Sequence, residues 1–447
     1  MKINTSKLMQ GLCYSMLMLG ATTTVQAETE TQKPLSDVGN WLEQHGIKPH
    51  LMSSYLYFDN FDMGIQKGKN EQLVIVMAGF DADLQKLASI KGGHLHFSYA
   101  WAPYHKNFDF GFQAGDILVG NPPPYIPKVA HLTKLTYEQK LFDDRLSIEV
   151  GRSNPGFYYG KSLCNFEFSC VNPLLHKTAT FSPVIYSAWG GRVAYNLSPS
   201  LELSASGWRT YQDFPFTNGW ESGWNDKHAT GNLWLASLAR KEEWRNSQSK
   251  YPLTWELTFF HNTHRFVDVD PLVTDKKQLS GTTGMHAGVK KLFWRLDGGS
   301  ETHPSATTLS AYASVSRMFD DVTYGGLSTF ASTGVILSGP FKSRPMDSYG
   351  LNFNWAKVTN GQQRAMTAGY AGMENWHARK NQYQLSLDAT IPALPFLIMQ
   401  GSVGRVWHAN NWMNASTGQV ITERPKDGYS ASLAITLLLD NALGLTK

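Results

Sequence analysis

Apolar and polar residues alternate with a period of two along much of this chain, and no other feature constrains the fold as strongly. The clearest example runs from Arg192 to Trp208. Successive side chains of a β-strand point to opposite faces, so the alternation predicts a hairpin with one apolar and one polar face, turning at residues 198–200. On the apolar face we place Val193, Tyr195, Leu201, Leu203 and Ala205, and on the polar face Arg192, Asn196, Glu202, Ser204 and Ser206.

A soluble, half-buried hairpin shows the same alternation. Whether the alternation recurs along the chain decides between a soluble protein and a membrane barrel. The pattern recurs along the chain without a separate apolar segment to fill a core, which favours a barrel whose apolar faces contact lipid. Within lipid every backbone N–H and C=O needs an internal partner, so such a sheet has to close on itself. We predict an all-β fold: a single transmembrane antiparallel β-barrel of about sixteen strands with a short N-terminal amphipathic helix.

The predicted strands are joined by two kinds of connection. Short turns, such as 142–145 and 198–200, contrast with long segments rich in Gly, Pro, Asn and aromatic residues at 153–186, 212–231, 262–284 and 408–428. Outer-membrane barrels have short turns at one end and long loops at the other. The strands are predicted at 51–58, 73–80, 94–101, 132–141, 146–152, 193–197, 201–211, 233–239, 253–261, 285–294, 309–318, 330–337, 349–358, 383–391, 396–407 and 429–439.

The first residues have the three parts of a secretory signal peptide. Lys2 and Lys7 form a basic start, residues 8–19 are mostly apolar, and residues 25–27, Val-Gln-Ala, form a small-residue cleavage site. We predict a signal peptide at 1–27, an N-terminal segment with a short helix at 28–49, and the outer-membrane barrel with long extracellular loops at 50–447. No later stretch offers about eighteen consecutive apolar residues, so we expect export without a helical membrane span.

A short amphipathic helix is predicted just before the barrel. Ser36 is positioned to cap it, Val38, Trp41 and Leu42 fall on one face, and Gly46 ends it. Such a helix would lie at the periplasmic mouth or against the barrel. An ordinary packing helix without any role in gating fits the same pattern.

Charge and composition exclude one class of partner and leave two classes of protein open. The net charge is +4, and removal of the two lysines in the signal peptide leaves +2, so the chain lacks the basic surface of a nucleic-acid-binding protein. Charged residues make up 17%, aromatic residues 13%, and there are 39 glycines. This suits a barrel with aromatic girdles, and equally a Gly-rich secreted all-β protein.

Two of the three cysteines remain after export. Cys13 leaves with the signal peptide, whereas Cys164 and Cys170 enclose a short aromatic-rich loop. An even number of cysteines in an oxidising compartment predicts a disulfide between them. Two ligands at this spacing match no usual zinc pattern, and the histidines form no closely spaced set, so we predict no metal site.

Three segments, in order, resemble one known family. Residues 136–139, Thr-Tyr-Glu-Gln, lead into 144–152, Asp-Arg-Leu-Ser-Ile-Glu-Val-Gly-Arg, followed by the cysteine pair and Asn172. Residues 339–351, Gly-Pro-Phe-Lys-Ser-Arg-Pro-Met-Asp-Ser-Tyr-Gly-Leu, and then 383–407 complete the set. Together they resemble the carbohydrate-selective porin family of the OprB type, whose members carry a YEQ…GRL…VGR run, an aromatic loop and a G…RPxDxxGLG segment. The resemblance covers about residues 36–440.

The resemblance implies a sixteen-stranded, monomeric outer-membrane barrel through which small sugars, glucose-like ones most often, diffuse down their gradient. The implied partners are these sugars and the outer-membrane lipid, with no cofactor and no catalytic residue. One departure concerns the C-terminus. Outer-membrane barrels usually end in an aromatic residue, whereas this chain ends Leu-Gly-Leu-Thr-Lys, and we expect the tail after Leu439 to form a short periplasmic extension.

The functional site of a porin is its constriction. Selectivity depends on pore radius, on hydrogen-bonding groups along the wall and on the field across it. Arginines and carboxylates form hydrogen bonds with sugar hydroxyls, and aromatic rings cover the apolar C–H face. We expect the loop at 153–186 to form the narrowest point. The candidate residues are Glu149, Arg152, Phe157, Tyr158, Tyr159, Arg192, Glu202, Trp208, Glu256, Arg344 and Asp347.

Other interpretations of these residues and of the chain stay open. A lumenal charge is often a replaceable wall residue, and the loop could merely cap the mouth. The chain could also be a secreted or outer-membrane carbohydrate-active enzyme, in which two carboxylates flank the scissile bond. A porin for small organic acids, a polysaccharide exporter or a plugged structural barrel are further possibilities. The mixed signs of the lumenal charges favour neutral solutes.

Two arginines provide the first test of the constriction. We expect Arg152→Ala and Arg192→Ala to alter single-channel conductance and ion selectivity, because each removes a fixed charge from the predicted pore wall. Unchanged conductance in planar bilayers for both variants would remove these residues from the constriction.

Overall fold

The computed structural model describes residues 33–119, 130–170, 178–179, 185–211, 218–220, 229–242, 249–299, 307–371 and 375–446, without the side chains of Cys170 and Tyr211. The predicted signal peptide at 1–27 lies outside these ranges and stays a prediction.

Sixteen antiparallel strands form one closed barrel, in which each strand pairs with its sequence neighbours and β1 pairs with β16. Every predicted strand overlaps one of them, so the predicted fold class is confirmed. The strands are β1 (Ile47–Asp59), β2 (Asn70–Asp83), β3 (Gly93–His105), β4 (Ala130–Leu141), β5 (Leu146–Ser153), β6 (Ala188–Ser198), β7 (Leu201–Tyr211), β8 (Ala229–Arg240), β9 (Leu253–Val267), β10 (Gln278–Arg295), β11 (Thr308–Met318), β12 (Leu327–Ser338), β13 (Ser348–Val358), β14 (Asn381–Leu394), β15 (Leu397–Trp407) and β16 (Gly428–Leu438).

The alternation predicted from the sequence separates the lumen from the outer surface. On β5, Glu149 is 5% exposed whereas Val150 is 51% exposed, and on β7 Ser204 is 5% exposed whereas Leu203 is 49% exposed. The ladder places Arg192 opposite Ser206 on the polar, inward face. A polar interior with an apolar exterior is the reverse of a soluble protein, and it is what a strand crossing lipid requires.

Short turns and long loops lie at opposite ends of the barrel. At the turn end, where β1 begins and β16 ends, residues 142–145 connect β4 to β5 through three consecutive left-handed residues, 142–144. At the loop end, residues 106–129, 154–187, 212–228, 359–380 and 408–427 connect strands.

One predicted loop is wrong in its bounds. Residues 262–284 were expected to form a long loop, but β9 and β10 extend into this segment and pair as far as Val267 and Gln278, leaving residues 268–277 as the connection. The physical reason is that polar residues on these strand ends, such as Asn262 and Thr282, face inward and are buried at the loop end.

The described part of the chain contains seven short helices, of which one lies in the loop after β5 and the others near the ends of the barrel. No helix in the described part of the chain is long and apolar enough to cross a membrane. The helices are α1 (Ser36–Gln44), α2 (Leu84–Ala88), α3 (Phe110–Ala114), α4 (Glu167–Cys170), α5 (Asn360–Ala368), α6 (Trp412–Ser416) and α7 (Leu439–Leu443).

The predicted N-terminal helix is present as α1, but its start differs from the prediction. Ser36 is the first helical residue and not the cap, because its Oγ donates to the Lys33 carbonyl at 2.7 Å instead of accepting from a backbone N–H. Gly46 follows the helix in a left-handed conformation, φ 76°, as expected for a residue that ends a helix. Val38 and Trp41 are exposed.

The C-terminal tail folds back as α7 and contacts both α1 and β1. The Leu35 N–H donates to the Leu443 carbonyl at 2.8 Å, and the Lys33 ammonium donates to the Asn441 side chain at 3.0 Å. The tail beyond β16 is therefore a structured helix at the turn end, attached to the segment that precedes β1.

Substitution of Gly39 tests this attachment. A Cβ at Gly39 would lie 2.3 Å from the Gly444 carbonyl oxygen, so we expect Gly39→Ala to cost about 1–3 kcal/mol of α1–α7 packing. Amide hydrogen exchange at Leu35 should become faster, with the barrel amides unchanged. Gly401→Ala is the matched control, because its nearest neighbour would lie at an ordinary 3.6 Å. Equal protection of Leu35 in both variants would contradict the attachment.

Candidate pore constriction

The loop between β5 and β6 folds into the barrel interior. We call its first described part, residues 154–170, the inserted loop. It begins with a 3-10 turn, Pro155–Phe157, in which the Asn154 carboxamide oxygen accepts from the Gly156 N–H at 2.8 Å. From there it crosses the lumen and contacts three parts of the wall, at β4–β7, at β9 and at β13–β14.

The first contact centres on Glu149, a buried carboxylate on the inward face of β5. It accepts from the Tyr158 hydroxyl at 2.7 Å and from the Thr136 hydroxyl at 2.6 Å. The Lys134 ammonium pairs with it at 2.9 Å. A charge removed from water needs such partners, and here they also fix the first turn of the inserted loop to the wall.

Aromatic rings and an arginine surround this contact. The Tyr158 ring stacks on Trp208 at 5.7 Å between centroids, and the Arg192 guanidinium lies 5.4 Å from the Tyr158 ring and 5.9 Å from the Tyr159 ring. Arg192 also pairs with Glu202 at 2.5 Å. Cation–π contact and ion pairing together hold the guanidinium beside the two tyrosine rings.

The second contact is made by Glu256 on β9. Its carboxylate oxygens accept from the Gly160 N–H at 3.0 and 3.2 Å, and the Thr258 hydroxyl donates to the same carboxylate. Leu163 of the inserted loop approaches β10 at Gly288, where a Cβ would lie 3.1 Å from the Leu163 methyl carbon. The small residue therefore gives the loop room to pass.

The structure brings seven of the candidate residues together in one patch, because the inward faces of β5–β9 adjoin and the inserted loop begins directly above them. These seven are Glu149, Tyr158, Tyr159, Arg192, Glu202, Trp208 and Glu256.

The other four candidates lie elsewhere. Arg152 is 3% exposed and donates to Ser187 at 3.0 Å, so it supports the return of the loop toward β6. Phe157 is partly buried at the end of the 3-10 turn. Arg344 and Asp347 pair with each other at 2.9 Å in the connection between β12 and β13, which is at the turn end of the barrel.

Sequence reasoning missed the third contact, in which the inserted loop reaches the opposite wall at Asp388. The Asn165 amide donates to one carboxylate oxygen at 2.6 Å and the Ser169 hydroxyl to the other at 2.8 Å. The Asn352 amide donates to the same carboxylate from β13. We call Asp388, Asn165 and Ser169 the latch.

Further hydrogen bonds reinforce the latch. The Ser169 carbonyl accepts from the Asn354 amide and from the Ser386 hydroxyl, both at 3.0 Å. The Ser348 hydroxyl donates to the Asn165 side chain at 2.5 Å. The loop residues and their partners on the wall are more than 180 positions apart in sequence, so no local sequence pattern predicts these contacts.

The two halves of the lumen differ in electrostatic character. Ionisable side chains on β1–β10 face the lumen and pair with one another, as Asp81 does with His96 and Lys134 does with Glu149. On β11–β16, Asp388 is the one charged residue among the described inward-facing positions, and its neighbours are Ser, Thr, Asn and Gln. The inserted loop thus lies between a charged, aromatic wall and a neutral hydrogen-bonding wall.

A salt bridge connects two loops above the strands. The Arg364 guanidinium of α5 donates to Asp270 through two of its nitrogens, Nε at 2.8 Å and Nη2. This pairing lowers the pKa of Asp270 to about 2. A carboxyl with a lowered pKa contributes its stabilisation above its usual pKa and loses it only as the pH falls through the lowered value, so the bridge stays charged at neutral pH.

Neither a metal site nor the disulfide is established by the structure. Among the described residues, no group of three or more His, Cys, Asp and Glu side chains is arranged to hold a metal ion. Cys164 lies in the inserted loop, but the side chain of Cys170 lies outside the described part, so their disulfide stays a prediction.

Known proteins resemble this chain in sequence and in architecture. The family described as carbohydrate-selective porin, OprB family, matches residues 72–411. Porin B of Pseudomonas aeruginosa is 25% identical over 231 residues, a match that spans 49% of this chain and about half the length of that relative. The high pH structure of Pseudomonas putida OprB superposes with a TM-score of 0.72 at 17% identity, covering 89% of this chain and 95% of that one. Its low pH structure gives 0.53 at 12% identity, with 91% and 97% covered.

Removal of the latch carboxylate tests whether it holds the loop inside the barrel. We expect Asp388→Ala to weaken the attachment by about 1–3 kcal/mol, because buried donors lose their acceptor, and to raise single-channel conductance as the loop leaves the lumen. Asn165→Ala removes the contact from the loop side and should act in the same direction. Asp275→Ala, at a side chain that is 75% exposed, is the control. Wild-type conductance in both latch variants, with folding verified on gels, would contradict this role.

Proposed function

Because the chain belongs to the carbohydrate-selective porin family of the OprB type and lies in the outer membrane, we propose that it carries small neutral sugars, glucose-like monosaccharides above all, by passive diffusion. The observation that supports this most strongly is the inserted loop, which places an aromatic and arginine patch across from a wall of amides and hydroxyls. Such a passage offers aromatic surface to the apolar C–H face of a sugar ring and hydrogen-bonding groups to its hydroxyls.

The charge balance of the patch favours a neutral solute over an organic acid. Arg192 of the patch, together with the neighbouring Lys134 and Lys241, supplies positive charge, and Glu149, Glu202 and Glu256 supply an equal number of negative charges. Glu202 pairs with both Arg192 and Lys241, and Glu149 pairs with Lys134. A site for anions would need unpaired cations, whereas paired groups still bind the hydroxyls of a sugar weakly.

The same contacts argue for a channel and not for an enzyme. A glycosidase needs one carboxylic acid to donate a proton and a second carboxylate to act as nucleophile or base. In this patch Glu149 is held by a lysine and two hydroxyl donors, and Glu256 accepts from the backbone of the inserted loop. Both carboxylates are thus committed to positioning the loop.

The proposal extends to the form of the mature protein. One chain closes its own barrel, so a monomer suffices for transport. Residues 1–27 act as the export signal, and a Cys164–Cys170 disulfide stiffens the inserted loop after export.

Planar-bilayer conductance of the refolded mature protein tests the function directly. We expect steady channels whose current falls as glucose is titrated in, because a sugar in the constriction displaces ions. An oligosaccharide and succinate are titrated in parallel. Block by succinate alone would support an organic-acid porin, and no channels from folded protein would support a plugged barrel or an enzyme.

A further inference from the structure

A second cavity lies on the rim of the barrel, away from the constriction. It has a volume of about 390 Å³ and lies between the two loops that follow β13 and β15. This volume is within the range of roughly 300–1,000 Å³ typical of small-molecule sites. We call it the rim pocket, and its lining residues are Asn375, Trp376, His377, Arg379, His408, Ala409, Pro425 and Asp427.

One wall of the rim pocket is an aromatic ring fixed by packing. The Trp376 ring lies 5.2 Å from the Tyr370 ring and is only partly buried. It packs against the same apolar cluster as Tyr158 of the inserted loop, a cluster that includes Tyr159 and Trp208. The pocket is therefore joined to the constriction through continuous packing.

The polar groups of the rim pocket are available to a ligand. Asp427 accepts from the Ala409 N–H through one oxygen, at 2.9 Å. Within the described part of the chain, the side chains of His377 and Arg379 make no hydrogen bond or ion pair, and Arg379 does not pair with Asp427 although both line the cavity. An indole, a guanidinium and a carboxylate around one cavity are the groups that bind a sugar ring and its hydroxyls.

The backbone of the rim pocket is also unusual. Asn375 and His408 adopt left-handed conformations, with φ of 82° and 61°. All other described non-glycine residues with positive φ lie in turns at the turn end, at Ser89 and at 142–144. Strained residues persist only where the surroundings hold them, and they cluster at ligand sites. His408 is held by the Asn381 carbonyl, 2.9 Å from its Nδ1, which turns the imidazole to the cavity rim.

We propose that the rim pocket captures a neutral hexose from solution before it enters the constriction. The inference rests on the proposed function, because capture on the rim matters only if the same sugar passes through the barrel. A neutral sugar suits the pocket better than a phosphate does, since the Asp427 carboxylate would repel an anion. Weak binding at two successive places is compatible with flux, whereas a single tight site would not be.

Conservative variants of the rim pocket test this proposal. In phosphatidylcholine vesicles free of glycolipid, Arg379→Gln and Asp427→Asn should each slow uptake of labelled glucose at micromolar concentrations by about tenfold, the effect of losing a hydrogen bond to a charged group. Single-channel conductance in salt and uptake at saturating glucose should equal those of the wild type. Arg424→Gln, an exposed arginine in the loop after β15 that does not line the pocket, is the matched control.

The outcomes distinguish a failure of sugar capture at the rim pocket from a failure of the proposed porin function. Saturation-transfer NMR with glucose on the folded protein should show weaker binding in Arg379→Gln than in Arg424→Gln. If Arg379→Gln and Asp427→Asn match the control in uptake and binding while the wild type passes glucose, capture of sugar at the rim pocket is contradicted and the porin function is unaffected. Displacement of glucose by inorganic phosphate would also overturn it. A wild type that passes no glucose at any concentration would overturn both.

Discussion

Closure of the backbone hydrogen-bond ladder is the constraint on which the rest of this structure depends. A strand in hydrocarbon has no water to satisfy its N–H and C=O groups, so each of the sixteen strands pairs on both sides, including β1 with β16. Closure turns the apolar side chains outward and the polar ones into the lumen. It also brings β1 and β16 together, and beside them α1 and α7 are joined by a backbone hydrogen bond from Leu35 to Leu443.

The inserted loop occupies part of this enclosed space. A barrel of this strand number leaves an aqueous channel, and in the proposed function the loop and its anchors determine which solutes pass. The two principal anchors, Glu149 and Asp388, are buried carboxylates that are stabilised in different ways. Glu149 is neutralised by Lys134, whereas Asp388 is stabilised by amide and hydroxyl donors from the loop and from β13. The lumen therefore stays polar while its charges remain paired or hydrogen-bonded.

Packing links the proposed constriction to the rim pocket. Tyr158 and Trp376 lie against the same apolar cluster, although one belongs to the constriction and the other to the rim pocket. The loop that carries Trp376 is further attached to the loop after β15, where the Asn411 amide donates to the Met366 carbonyl, and to the β9–β10 connection by the Arg364–Asp270 bridge. A rigid loop end of this kind can present several weak sites in fixed order, which is what conduction through successive sites requires.

The sequence by itself determined the barrel, the strand number and the inward residues of single strands, because a period of two and the need for closure depend only on local order. The alternation of strand residues alone predicts the inward orientation of Glu149, Arg192, Glu202 and Trp208. Their adjacency follows from the antiparallel pairing of neighbouring strands. Only the tertiary structure decided that Asp388 holds Asn165 and Ser169, that α7 attaches to α1, and that Arg344 and Asp347 lie at the turn end. These contacts join residues that are distant in sequence or depend on which end of the barrel a connection occupies. The alternation along a strand shows which face a side chain is on, but it does not show which loop residues cross the lumen to contact that side chain.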